Sequence, residues 1–382
     1  MIKVAVGLLA LTAISVGAES LQEAFRDASI DGYIRGTYHL NDTKSDSRYH
    51  NDAIGGKLHL ESSPLGGVSL GVGFYTSNSI SSSDNRSIVP LRGESDKSYS
   101  ILGEAYIKGE FGNTMVKIGR QEIETPFAQI DDIGIVPNTF EAFWIENRDI
   151  ADTTIMLAQI QKMAGVDAEV VDRFTHINGD KNMQTIGIDY KGIKNLTLSS
   201  WYYNLEDGEI DKIAYIEADY ENSFDRFGYG VGLQYAKESY DIGESADVVG
   251  ATISGTIKKS GLTLSSSYTE SRGNSAYSGF GGGPFFSNSE YLIIDNAGED
   301  AKATKYAIEW DGAVAGAEGL NMSLGEVTLE DKVGAEATEL DFILGYEIDK
   351  NLEMHLIYSD IDGNSVAEEE MKHLRAFVNY NF

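Results

Sequence analysis

The chain has 382 residues and carries sixty acidic against thirty basic side chains, a formal charge of −30. That balance argues against a nucleic-acid partner, which would call for basic patches. Cysteine is absent, so no disulfide framework staples the fold; twenty-one Tyr, forty-one Gly and only five Pro favour strands and turns over helices.

The N-terminus reads as an export signal: Lys3, an apolar run from Val4 to Ile14, then the small residues Val16-Gly17-Ala18. The run is shorter than the roughly 20 residues a helix needs to cross a bilayer. Residues 1–18 are therefore expected to be removed after Ala18, leaving Glu19 first. No later uncharged apolar stretch approaches spanning length, and no linker, composition shift or repeat divides residues 19–382. A single domain that crosses a membrane would have to do so as a closed barrel.

Dyad alternation supports that route. Ile30, Ile34 and Tyr38 oppose Asp31, Arg35 and His39, and Tyr229, Val231, Leu233 and Tyr235 oppose Gln234 and several glycines. Leu340, Phe342, Leu344, Tyr346 and Ile348 oppose Asp341, Gly345 and Glu347. After the tight turn Asp349-Lys350-Asn351 come Leu352, Met354, Leu356 and Tyr358, opposed by Glu353, His355 and Ser359. Leu374, Ala376, Val378, Tyr380 and Phe382 close the series against His373, Arg375, Asn379 and Asn381.

A soluble sandwich would alternate in the same way. The connections separate the two readings. Short ones fall at Ser62 to Gly67, Gly112-Asn113, Lys191 to Asn195, Lys258 to Gly261 and Asp349 to Asn351. Long ones fall between them at Asn41 to Asp52, Ser77 to Lys97, Gln121 to Asn138, Gln161 to Met183 and Glu270 to Lys302. Short periplasmic turns and long external loops are the outer-membrane pattern. Eight turns and nine loops give an all-β antiparallel transmembrane barrel of eighteen strands, with sixteen as the alternative count; either size can leave an aqueous channel. Trp144, Trp201, Tyr202, Tyr346, Tyr358 and Tyr380 are candidates for the interfacial aromatic girdles.

The runs Gly119-Arg120-Gln121-Glu122, Thr125-Pro126, Pro137-Asn138-Thr139-Phe140-Glu141 and Gly282-Gly283-Pro284-Phe285-Phe286, with the terminal Phe382, span nearly the whole chain. In this combination the sequence resembles the OprD family of porins and the related major outer-membrane porins of Campylobacter-type bacteria. The resemblance implies eighteen strands and a third and a seventh loop folded inward, here residues 121–138 and 270–302. Val378, Tyr380 and Phe382 resemble the C-terminal signal read by the barrel-assembly machinery. One departure stands out: OprD-type channels guide carboxylate-bearing solutes along an arginine ladder, for which few residues are available here.

The expected constriction comprises Arg120, Glu122, Glu124, Asp131 and Asp132 around the third loop and Glu290 in the seventh. Carboxylates crowded into a narrow polar passage would concentrate cations and repel anions. Lumen parity adds Arg35, Lys57, Lys117, Asp341, Glu347, Glu353 and Arg375 as pore lining, and reads His39, His59, His355 and His373 as solvated. No cofactor is required. The paired Asp131 and Asp132 are the candidate ligands for a hard cation, which the Campylobacter-type resemblance suggests is calcium.

Six His and no Cys leave no assembly of nucleophile, base and orienter, so an enzyme is not expected. The function read from the chain is passive diffusion of ions and small hydrophilic solutes across the outer membrane of a Gram-negative bacterium, through an acidic, cation-preferring pore. The expected partners are outer-membrane lipid, the assembly machinery and the solutes, with a homotrimer as a further association. The competing reading is a surface or adhesion protein whose long loops bind a partner.

Overall fold

The computed structural model describes residues 17–44, 48–81, 89–94, 97–205, 208, 210–363, 366 and 370–382. The expected export signal, apart from Gly17 and Ala18, lies outside the described residues. A short helix, α1 (Leu21–Arg26), comes first; the Ser20 hydroxyl caps it by accepting from the Glu23 N–H at 3.2 Å.

The strands follow as β1 (Ser29–Thr43), β2 (Tyr49–Glu61), β3 (Val68–Ser79), β4 (Tyr99–Phe111), β5 (Thr114–Gln121) and β6 (Thr139–Asn147). Next are β7 (Thr153–Ala164), the two-residue β8 (Thr175–His176), β9 (Met183–Ile193), β10 (Leu196–Asn204), β11 (Ile210–Ser223) and β12 (Phe227–Tyr240). The rest are β13 (Ala246–Ile257), β14 (Leu262–Gly273), β15 (Lys302–Asp311), β16 (Leu320–Glu330), β17 (Glu336–Glu347), β18 (Leu352–Asp362) and β19 (Met371–Asn381). Because β8 only extends the end of β7, whose main partner on that side is β9, eighteen strands form the wall. Each pairs antiparallel with its neighbours, and β1 bonds to both β2 and β19, from Tyr33↔Asn381 to Thr43↔Met371. The barrel is therefore closed and leaves no free edge.

Period-2 side-chain placement does the rest. Ile34, Leu58, Ile118, Ile216, Leu233 and Ile253 stand exposed on the outer face, the side that faces lipid. Arg35, Lys57, Lys117, Gln234 and Asp341 occupy the opposite parity and face the lumen. Val378, Tyr380 and Phe382 are likewise exposed on the outer face, and Phe382 exchanges backbone hydrogen bonds with Gly32 at 3.1 and 3.2 Å.

Three expectations need correction. The stretch Asn41 to Asp52 is mostly strand, since β1 continues to Thr43, β2 begins at Tyr49 and Asn41 pairs with Tyr49. Polar strand ends that project beyond the lipid look like loop in sequence. Trp144 and Trp201 do not belong to a girdle: both have lumen parity and are buried, at 8% and 5% exposure, whereas Tyr202, Tyr346 and Tyr380 are exposed outside. His39, His59 and His373 are packed rather than solvated, at 0%, 9% and 4% exposure.

Candidate functional site: the loop-filled lumen

The connection 122–138 is built into the wall from its first residue. Glu122 accepts from the Lys57 ammonium at 2.9 Å and from the Tyr75 hydroxyl at 2.8 Å, and the same two donors reach Glu104 at 2.7 and 2.8 Å. Two carboxylates thus share one ammonium and one hydroxyl, a mostly buried arrangement satisfied by charge-assisted bonds. Farther along, Ile135 and Val136 pack with Ala53 and Tyr75, and the Tyr33 hydroxyl donates to the Ile135 carbonyl at 2.8 Å.

The loop also meets residues 274–301. Phe127 contacts Tyr203 and Tyr215 of the wall and Phe285 of the second loop edge to face. The Gln129 N–H donates to the Phe280 carbonyl at 2.9 Å, and the Phe280 N–H to Phe127 at 3.0 Å. The Gly-Gly-Pro-Phe-Phe run is fastened by Gln234, whose amide donates to the Pro284 carbonyl at 2.9 Å and accepts from the Phe286 N–H at 3.0 Å. Gly283 is left-handed at φ 75°, and a Cβ there would lie 2.4 Å from Ser278, so this turn needs glycine. Further anchors are Ser289 to Asp341 at 2.5 Å, Leu292 N–H to Glu339 at 2.6 Å and Tyr277 N–H to Glu238 at 2.9 Å.

The expected charged residues distribute as follows. Arg35 of β1 forms a two-point ion pair with Asp132, at 2.6 and 2.7 Å, and also donates to Asn379 and to the Gly134 carbonyl. Arg375 of β19 pairs with Glu290. Lys117 lies 3.8 Å from the centre of the Tyr106 ring, a cation–π contact. Glu353 accepts from Asn379 at 3.0 Å and stands opposite Glu347 in the β17–β18 register. Asp341 accepts from Ser359 at 2.6 Å. Glu124 accepts from the Ile130 N–H at 3.2 Å, and burial raises its pKa. Burial and then the neighbouring Asp167 push Asp131 up to about 8.

Two of these placements correct the sequence reading. Arg120 is not in the constriction. It belongs to β5, which runs to Gln121, and shares the outward face with Ile118, pairing across with Ala105 and Glu141. Nor do Asp131 and Asp132 offer a joint metal site. With Asp131 in the left-handed region at φ 39°, one carboxyl lies against Asp167 while the other is taken by Arg35. Among the described residues no group of three or more His, Cys, Asp or Glu is placed to hold a metal ion.

Sequence reasoning missed Glu104, Tyr75, Asp167 and Asn138. Glu104 reaches the lumen because the β3–β4 register shifts between Gly73 and Phe74. Asn138 joins two loops by donating to Asp167 at 2.6 Å and accepting from its N–H at 3.1 Å. Only Asn138, which lies within the Pro-Asn-Thr-Phe-Glu run, carried any signal in the sequence.

The described barrel, with loops bonded across its interior, has counterparts among solved structures. The chain is similar to OccK9 (OpdG) of Pseudomonas aeruginosa, at 19% identity over 94% of this chain and 99% of that one, with a TM-score of 0.80. It is also similar to a BenF-like porin from Pseudomonas fluorescens Pf-5, at 17% identity and TM-score 0.81, and to Pseudomonas aeruginosa OpdK with vanillate, at 17% and 0.78. Those two alignments likewise cover 94% of this chain and 99% of the other. No curated protein sequence matches. The family model for outer membrane porins of the OprD family matches residues 25–382. The chain belongs to the OprD family, a porin of the Gram-negative outer membrane for small solutes.

Proposed function

We propose that this porin passes small hydrophilic solutes by passive diffusion and favours cations. One observation carries the reading: the lumen's cations are largely neutralised and many of its carboxylates are not. Arg35, Lys57, Lys108 and Arg375 each have a carboxylate partner, in Asp132, Glu104 with Glu122, Glu61 and Glu290. Lys305 donates to the Asn288 carbonyl. Asp189, Glu217 and Asp219 of β9 and β11, and Glu309 and Glu347 nearer the periplasmic mouth, have lumen parity and no Lys or Arg partner among the described residues. Glu309, Glu347, Glu353 and His355 also line one recess with Asn321 and Ser323.

In a polar passage with low-dielectric walls, unpaired carboxylates hold the potential negative and raise the local cation concentration. The acidic balance also keeps the Campylobacter-type porins as a functional parallel. Vanillate in OpdK is an aromatic carboxylate; uptake of such solutes here would rest on Lys117 and Lys305, lumen cations with no direct carboxylate contact among the described residues. In this reading residues 1–18 are an export signal, loops 121–138 and 270–302 set the pore width, and no metal is needed.

The test is selectivity after neutralisation. Glu217→Gln with Asp219→Asn should move the reversal potential in a salt gradient toward zero while the barrel stays folded. An unchanged potential would remove these residues from the conduction path.

A further inference from the structure

Arg120 belongs to a row of charge on the outside of the barrel. The strand registers align Ala105, Arg120, Glu141, Lys162 and His176 as successive partners across β4 to β8. Their face is the outer one, because Ile107, Ile118 and Phe143, which share it, are all exposed apolar residues. The row lies one residue from the end of β5 and two from the end of β7, at the loop side of the wall. That is the external edge of the lipid-facing band, where a charge is tolerated far better than at the bilayer midplane.

Within the row, two basic side chains flank a single carboxylate. Arg120 Nε lies 3.6 Å and Lys162 Nζ 3.7 Å from Glu141, and the three side chains are 36%, 32% and 31% exposed. Both separations exceed the ~2.7–2.9 Å of a charge-assisted hydrogen bond, so Glu141 does not saturate either donor. The guanidinium is held from two sides, by the Phe174 ring centred 4.3 Å away and by the Leu102 carbonyl at 3.2 Å. The result is an oriented fork and an ammonium with surplus positive charge, on a chain whose formal charge is −30.

We propose that this row binds the phosphate of a phosphorylated glycolipid in the outer leaflet, of the lipid A class. A guanidinium fork matches two phosphate oxygens and an ammonium supplies a second point charge. The apolar surface of Ile107, Ile118 and Phe143 on the same face would take the acyl chains. The Arg120–Glu141–Lys162 arrangement is then a headgroup clamp, and Glu141 competes with the phosphate for the two cations.

Native mass spectrometry of the purified full barrel, loaded with bisphosphorylated lipid A or its dephosphorylated form, tests this. The wild type should retain the bisphosphorylated lipid, and Arg120→Gln with Lys162→Gln should lower retention at least fivefold. Glu141→Gln should raise it, and Arg148→Gln, at the opposite end of the barrel, should leave it unchanged. Equal retention of the two lipids, or no loss in the double variant, would overturn the proposal, as would displacement by millimolar inorganic phosphate, which marks a free-ion site. Heat-modifiable migration reports folding, and if the double variant does not fold, Glu141→Gln alone decides, since lower or unchanged retention contradicts the clamp.

Discussion

Asp132 and Arg35 form a two-point ion pair, at 2.6 and 2.7 Å, that ties the loop after β5 to the wall at β1. The guanidinium is 7% exposed and the carboxylate 40%, so water screens one partner and desolvation costs the other. Asp132→Asn leaves Arg35 its bonds to Asn379 and Gly134 but removes its counter-ion. The loop should lose on the order of 1–2 kcal/mol of attachment. More frequent fluctuations of the single-channel current should follow; a current as quiet as wild type would mean the pair does not hold the loop.

Asp131 gives a pH signature. Its carboxyl is pushed up to about 8, first by burial and then by Asp167; Glu290 acts in the same direction and Arg375 opposes it. The native state therefore holds this proton more tightly than the unfolded chain does. The associated stabilisation is complete below the ordinary carboxylate range and is lost as the pH rises through about 8. Ionisation adds negative charge to the loop, so cation preference should rise between about pH 6 and about pH 9. Asp131→Asn should make that rise measurably smaller, and a rise unchanged by the substitution would assign it to other groups.

Gln234 offers a test of how the second loop is held. Its amide both donates to Pro284 and accepts from Phe286. Gln234→Ala leaves those backbone groups unpaired in a partly buried setting, at about 1–3 kcal/mol each. Limited proteolysis should then cut within 274–301 severalfold faster than in wild type, with the strands protected. Unchanged cleavage would shift the anchoring to Glu339, Glu238 and Asp341.

The last strand predicts an assembly defect. Val378, Tyr380 and Phe382 share the outer face, and Phe382 bonds through its backbone to Gly32 at the seam. Deleting Phe382 should lower the yield of heat-modifiable barrel in the outer membrane more than severalfold, while refolding in detergent is affected less. Equal losses in both would point to strand stability rather than to recognition by the assembly machinery.

The wall was legible in the sequence because lipid and lumen impose opposite chemistry on alternate residues, as in Ile34 against Arg35 or Tyr380 against Asn379. The loop contacts were not, since Asp132 meeting Arg35 across 97 positions leaves no local trace. Arg120 was misplaced because its Gly-Arg-Gln-Glu run reads as the start of a loop. Parity counted from Lys117 through a continuous strand puts it outside. Glu104 escaped notice for the converse reason: a register shift, invisible in the alternation, turns it inward. The tryptophans misled by residue type, since lumen parity outweighs the interfacial preference of Trp once loops pack the interior.

The central claim, a small-solute porin whose unpaired lumen carboxylates favour cations, is tested most directly by the zero-current potential of the wild-type protein in a planar bilayer under a potassium chloride gradient. The expected result is stepwise conductance with a potential of the sign that marks potassium as the more permeant ion. Conductance with a potential of the opposite sign would contradict the selectivity, and a silent bilayer would contradict the channel.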